Sequence, residues 1–338
     1  MAVSSAVLVL RALGVGDLLT SVPALRALRT AYPDDRLVLA APEGLRDLVE
    51  LIDAVDELLP TPALGELAWP GPPPRLAVNL HGSGPESIHD LLAADPAELL
   101  THRHPDFPDV SGLDWRDDLH EVDRWCRLVE YAHLEADRSA LHLPVPPGPS
   151  PAPDAVVVHP GAAFPARRWP PERFATVVRD LAADGHRVVL TGSAGERDLA
   201  LSIAEAAGLG DDAVLAGRTD LAELAALVAG AALVVCGDTG VGHLATAFGT
   251  PSVLLFGPTP PRLWGPPPSA RRHVGDIRGS APGRGLRHPD PPPLHMVLWA
   301  GNVGDPHGEE PDGGLLLLGE ERVLAATRSA LEMRVAHG

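Results

Sequence analysis

The sequence predicts an α/β protein built from two doubly wound domains, and three observations carry the prediction. Apolar runs of strand length alternate with segments of helical period, the pattern of βαβ units around parallel sheets. The alternation is interrupted by "LPVPPGPSPAPDA", where proline removes backbone donors and fixes φ so often that neither a helix nor a central strand can form. A chain of 338 residues is also too long for one comfortable core and fits two of ordinary size. The expected division is an N-terminal domain over 1–146, a linker over 147–153, a C-terminal domain over 154–320 and a closing helix over 321–338.

In chain order, "AVLVL" reads as a first strand and leads through a glycine turn to a helix starting near Leu18. "RLVLAAP" is a second strand followed by the helix "EGLRDLVELI", and "LAVNLHG" is a third strand after a proline-rich turn. "WRDDLHEVDRWCRLVEYAHL" has apolar residues at helical spacing with acids in its first turn, where they suit the helix dipole. Beyond the proline run the pattern restarts: strand "AVVVHPGA", helix "PPERFATVVRDLAADG", strand "HRVVLTGS" and helix "GERDLALSIAEAAGL". It continues through "LAELAALVAGA", "LVVCGDT", "GVGHLATAFG" and "PSVLLFG". Residues 258–314 lose periodicity and read as one long loop, and "LLLLGEERVLAATRSALEMR" reads as a short strand and a last helix.

Composition narrows the function classes. With 45% hydrophobic and 21% charged residues the chain buries enough apolar surface to fold. A formal charge of −18 repels polyanions over most of the surface, which argues against a nucleic-acid partner or a generic anionic-membrane binder. There is no lysine, so every strong side-chain cation is an arginine, a bias in keeping with a G+C-rich genome. The two cysteines, Cys126 and Cys236, make neither a disulfide framework nor a zinc knot, which fits a reducing, cytoplasmic setting. No apolar run of about twenty residues suggests a transmembrane segment, leaving peripheral membrane contact open.

Three stretches concentrate chemistry at strand-to-helix turns. "LRALGVGDLLT" places Asp17 after Gly14 and Gly16, where waiting backbone N–H groups favour an anion. Leu19 stands where a dinucleotide fingerprint needs its third glycine, and Ala40, Ala41 and Pro42 stand where it needs an acid, so NAD is disfavoured. Taken by itself, Asp17 reads either as an N-cap accepting from Leu19 or Thr20 N–H or as a functional carboxylate. "HPGAAFPARRWPPERF" carries Arg167 and Arg168 in a loop where guanidinium groups grip a diphosphate or, equally, form a solvated surface pair. "CGDTGVGHLATAFG" sets Asp238, Thr239, Gly240 and His243 at a helix start suited to phosphate, though such turns are common in this fold class. There is no D-x-D element, no P-loop and no G-x-S-x-G elbow, and His102 and His104 lack a third metal ligand at a persuasive spacing.

Together, "RALGVGDLLTSVPALRAL", "HPGAAFPARRWPPERF", "VVLTGSAGERDLA" and "VVCGDTGVGHLATAFGTPSVLLFGPTPPRLWGP" resemble, in order, glycosyltransferase family 9, the ADP-heptose:lipopolysaccharide heptosyltransferases and their relatives. The resemblance implies a GT-B fold: two Rossmann-like domains facing a central cleft, with the acceptor on the N-terminal side and the nucleotide sugar on the C-terminal side. It implies an inverting transferase that needs neither cofactor nor metal and moves a sugar, heptose first among candidates, from a nucleotide diphosphate donor to a hydroxyl. Asp17 falls on the family's catalytic base. Arg167 stands where the family usually has lysine, and with Arg168, Gly161, Gly192, Asp238, Thr239, Gly240 and His243 it falls on the donor side. The family's ribose-binding glutamate aligns with Ala222, leaving Glu223 one residue along as its substitute. The helix N-terminus is expected to lower the Asp17 pKa. The acceptor is expected to be a cell-envelope glycan or specialised metabolite, and the protein a monomer or weak homodimer. A sugar-nucleotide-binding protein without activity, and an epimerase or hydrolase on the same fold, are the alternatives.

Overall fold

Ala6–Leu10 form β1, five buried apolar residues in succession, as a strand covered on both faces of a parallel sheet requires. A helix, α1 (Val15–Ala31), returns the chain to β2 (Arg36–Ala41), and a short helix, α2 (Arg46–Leu51), leads to β3 (Glu57–Pro60). Pro23 lies within α1 without ending it. β4 (Leu76–Asn79), α3 (Pro85–Leu92), β5 (Glu98–Leu100) and α4 (Glu121–Tyr131) follow. All these strands pair in parallel in the order β3-β2-β1-β4-β5, so the crossovers change direction at β1. Leu8, Leu10, Val38, Ala40, Ala77 and Leu91 form one apolar layer of this unit, and α1 packs along α4.

The structure is a computed structural model describing residues 5–268, 271–273 and 294–337, and the chain divides into units Met1–Leu143 and Pro144–Gly338. The second unit begins its sheet with β6 (Val156–His159), followed by α5 (Pro171–Ala183), β7 (Val188–Leu190), α6 (Arg197–Ala207) and α7 (Leu221–Ala229). Next come β8 (Leu233–Gly237), α8 (Gly240–Phe248), β9 (Ser252–Phe256) and the single turn α9 (Pro261–Trp264). β10 (Arg271–His273), β11 (His295–Trp299), α10 (Gly313–Leu316) and α11 (Glu320–His337) complete it. The parallel order is β10-β11-β9-β8-β6-β7, with its change of direction at β6. Phe174, Val178 and Leu181 from α5 and Val323 and Leu331 from α11 share the main core of this unit, so the last helix is part of it.

Two expectations need correction. Residues 258–314 are not a continuous loop: β11 runs beside β9 in register His295↔Ser252 to Trp299↔Phe256, and α9 and α10 add helical turns. A parallel strand buried on both faces shows no alternation, so the short run "HMVLW" between prolines gave no periodic signal. The expected strand at "LLLL" is helical over Gly313–Leu316, because Asp312 Oδ1 accepts from Gly314 N–H at 2.7 Å and starts a helical turn. Most of the basic stretch "SARRHVGDIRGSAPGRGLRHPDPPP" lies outside the described residues.

Candidate active site

In the first unit, the direction change between β1 and β4 opens the sheet at its carboxyl edge, where ligands of open α/β sheets bind. The chain leaves β1 through Arg11 and enters α1 at Gly14, the N-cap, so Asp17 is the third helical residue and not the cap itself. Its Oδ2 accepts from Gly14 N–H at 3.2 Å, and its backbone carbonyl accepts from Arg11 Nε at 3.0 Å. Arg11 is fully buried, with Nη2 3.0 Å from Glu121 Oε1 and 3.5 Å from Asp17 Oδ1. Its Nη1 donates to the Leu80 carbonyl, and its guanidinium carbon lies 4.6 Å from the Trp125 ring centroid. Glu121 comes from the first turn of α4, where Oε1 also accepts from Trp125 Nε1 at 2.9 Å and Oε2 accepts from Arg124.

This environment reverses the expected direction for Asp17. Burial pushes its pKa up, Arg11 opposes the rise, Glu121 adds to it, and the Gly14 N–H opposes it again. The net result is a raised pKa, because desolvation of the charged form outweighs the single N–H bond that the sequence makes visible. Two imidazoles stand near this network. His81 is held down to about 4 by burial and then by Arg11, while His102 is held down to about 4 by burial and then by Arg124. His102 packs edge-on to Trp115 and Trp125, with ring centroids 4.9 and 5.9 Å away. Loops after β3 and β5 join α3 to line a pocket of about 400 Å³ with Leu64, Glu86, His89, Asp90, Asp106 and Phe107.

The second unit repeats the device between β6 and β8, whose ends are paired at His159↔Cys236. The loop after β6 carries Gly161, Arg167 and Arg168, and the turn after β8 carries Asp238, Thr239 and Gly240. These loops approach closely, since a methyl group on Gly237 would lie 3.0 Å from the Arg167 carbonyl oxygen. Arg168 Nε donates to the Ala162 carbonyl at 2.9 Å. Arg167 stacks over Phe164 at 5.4 Å, and its buried Nε has no hydrogen-bond partner among the described residues. Thr239 takes the N-cap position of α8 but makes no side-chain capping bond, leaving the first-turn N–H groups uncapped by it. His243, one turn into α8, lies edge-on to Trp264 with ring centroids 6.0 Å apart.

Gly161 and Gly192 acquire a physical reason here. Both face Glu196: a methyl group on Gly161 would overlap its carboxylate, and one on Gly192 would lie 3.0 Å from its Cβ. Glu196 Oε2 accepts from Ser193 N–H at 2.8 Å and from Ser193 Oγ at 2.9 Å. Burial raises the Glu196 pKa, but those bonds, His159 and Arg168 together outweigh it and leave it lowered. His159, whose Nδ1 is 3.1 Å from Thr191 Oγ1, has its pKa lowered by burial against the pull of Glu196. Glu223 is exposed, and its Oε2 accepts from Asp220 N–H at 3.1 Å while Asp220 Oδ1 accepts from Glu223 N–H at 2.8 Å. Sequence reasoning missed Arg11, Glu121 and Glu196. Arg11 and Glu196 were nevertheless marked, the first by a lone cation after an apolar strand and the second by the S-x-x-E capping signature.

The profile of "Glycosyltransferase family 9 (heptosyltransferase)" matches residues 120–288, half of the chain. Lipopolysaccharide heptosyltransferase 2 of Salmonella typhimurium is 29% identical over 300 residues, covering 77% of this chain and 84% of that protein. A glycosyltransferase family 9 structure from Veillonella parvula superimposes with a TM-score of 0.76 at 21% identity, covering 98% of this chain and 99% of the other. Escherichia coli ADP-heptose lps heptosyltransferase II gives 0.72 at 21% identity, covering 97% and 99%. The expected GT-B fold class is thereby borne out, and no helix among the described residues is long and apolar enough to cross a membrane. On its own sequence and with the fold of its relatives, this chain belongs to glycosyltransferase family 9, the heptosyltransferases.

Proposed function

We propose that this glycosyltransferase moves a heptose from ADP-heptose to a hydroxyl group of a glycan or specialised metabolite, with inversion at the sugar C1. The donor is suggested by the family and by the ADP-heptose enzyme among its structural relatives. Asp17 takes the proton of the acceptor hydroxyl as that oxygen bonds to C1, and the bond from C1 to the diphosphate oxygen breaks with its electron pair leaving on ADP. Arg167, Arg168, His243 and the first-turn N–H groups of α8 stabilise the charge developing on the diphosphate. Gly240 allows the donor to approach backbone, Gly161 and Gly192 make room for Glu196 beneath it, and Asp238 and Thr239 orient it. Glu223 gives one carboxylate oxygen to Asp220 and offers the other to a ribose hydroxyl.

The observation that carries this reading is the half-buried Asp17 carboxylate, placed beside Arg11 and Glu121 at the carboxyl edge of a doubly wound sheet, with its pKa raised rather than lowered. A carboxylate in that state is a stronger base than one clasped by a helix end. We take the pocket beside α3 as the acceptor side, where Glu86, Asp90 and Asp106 would repel a phosphorylated acceptor and favour a neutral or amino-bearing one. We take the protein as a cytoplasmic monomer or weak homodimer. The test is turnover of ADP-heptose by wild type and Asp17→Asn across a panel of neutral, amino-bearing and phosphorylated acceptors. Loss of transfer with ADP binding retained fits the reading; unchanged transfer by Asp17→Asn overturns it.

A further inference from the structure

One cation in the first unit is contested by two carboxylates. Nη2 of Arg11 lies 3.0 Å from Glu121 Oε1 but 3.5 Å from Asp17 Oδ1, so it is nearer the carboxylate that is not assigned as base. Glu121 is also the better satisfied, holding Trp125 Nε1 at 2.9 Å and the Arg124 guanidinium besides Arg11. Asp17 has the Gly14 N–H at 3.2 Å and the long contact to Arg11. Arg11 cannot simply drift across, because its Nε is spent on the Asp17 backbone carbonyl and its Nη1 on the Leu80 carbonyl.

We propose that Arg11 and Glu121 are an opposed pair of positioning residues for Asp17: Arg11 orients the carboxylate, and Glu121 keeps the guanidinium from closing into a full ion pair with it. This rests on the reading of Asp17 as the base. A half-buried carboxylate with no cation nearby would be protonated too readily, and one in a bidentate pair with arginine would be a weak base. Sharing the guanidinium holds Asp17 between these extremes. The charged groups facing it are Arg11 from the end of β1 and Glu121 from α4. Arg124 stands behind Glu121, and His81, in the turn after β4, also feels the field of Arg11. From its own helix Asp17 receives the Gly14 N–H.

The pair predicts shifts of opposite sign. In full-length protein labelled with 13C-aspartate, the Asp17 carboxyl signal, assigned by its loss in Asp17→Asn, is followed across pH in Arg11→Met and Glu121→Gln. The Asp17 titration moves to higher pH in Arg11→Met, which loses the cation, and to lower pH in Glu121→Gln, which loses a negative neighbour and frees the cation. Movement in the same direction, or no movement in either variant, overturns the proposal. Arg11→Met leaves Glu121 with one cation fewer in a buried site and risks misfolding. If it does not fold, the charge-balanced double variant decides: its Asp17 titration lies above that of Glu121→Gln, and equality overturns the pair. Because the carboxyl is read directly, these results stand apart from the transfer assay, in which an active Asp17→Asn would overturn the base assignment alone.

Discussion

Gly161→Ala offers a test in which one methyl group should change the sign of its own effect. Gly161 does not have a left-handed φ, so alanine is allowed by the backbone, but its methyl would overlap Glu196 Oε1 and Cδ and lie 2.9 Å from Oε2. The obstacle is the far end of a flexible side chain, so the carboxylate swings out instead of the backbone moving. What is lost is therefore what that carboxylate holds: Ser193 N–H at 2.8 Å, Ser193 Oγ at 2.9 Å and its place beside the buried His159. Removing a helix cap of this kind costs about 1 kcal/mol, within a range of roughly 0.5–2. Against it, alanine restricts the unfolded chain and stabilises by roughly 0.4–1 kcal/mol where its conformation is tolerated.

The two effects nearly cancel in the single variant, which is neutral or slightly destabilised. In Glu196→Ala there is nothing to displace, and the same glycine replacement becomes stabilising by roughly 0.4–1 kcal/mol. The coupling between positions 161 and 196 is then about 1 kcal/mol, near the middle of what contacting residues show. Urea unfolding of wild type, both single variants and the double variant measures it, and calorimetry reads it as roughly 2–4 °C. A cycle additive to within about 0.3 kcal/mol would refute the steric account of Gly161.

Asp17→Asn, which keeps the shape of the side chain and removes its basicity, should lower transfer by roughly 10²–10⁴-fold while leaving the thermal shift with ADP intact. Arg167→Met should weaken ADP binding by about tenfold or more, the worth of a charged hydrogen bond, read as a smaller stabilisation at fixed ADP. Among ADP, GDP, UDP and CDP, only ADP should give the full shift, and preference for another nucleotide would overturn the donor assignment. Acid should weaken the first unit, since His102 titrates near 4 when folded against an ordinary 6.5. Below 6.5 the unfolded chain binds the extra proton, so stability present at neutral pH is lost as pH falls toward 4, by about 2 kcal/mol at pH 5 for this one group. His102→Phe should flatten that dependence in urea midpoints measured at pH 7 and 5, and an unchanged slope would count against the burial of the neutral ring.

Much of the fold was legible because parallel strands buried on both faces leave runs such as "AVLVL" and "LVVCGDT", while helices such as α5 keep an apolar stripe. β11 was not, since five residues among prolines are too few to show a period. The turns bearing Asp17, Arg167 and Asp238 were visible as glycine-rich breaks after strands, a local signature. The surroundings of Asp17 were invisible for a different reason. Glu121 lies 104 positions further on, and burial, the largest influence on the carboxylate, is a property of packing rather than of neighbours in sequence. A helix end read alone gives the wrong sign.

Arg11 bonds to the Asp17 carbonyl, the Leu80 carbonyl and Glu121, so it knits together segments that the chain visits at widely separated times. Both charged groups that act on the Asp17 carboxylate are fastened at those few points. The loop 62–73, which bonds to none of those points, can exchange residues without shifting the carboxylate, whereas 101–119 packs His102 and Trp115 against Trp125 and holds Arg124 through the Arg116 carbonyl. On the reading proposed above, the choice of recipient and the removal of its proton then become separately evolvable traits, and a lineage could acquire new recipients while leaving its chemistry untouched.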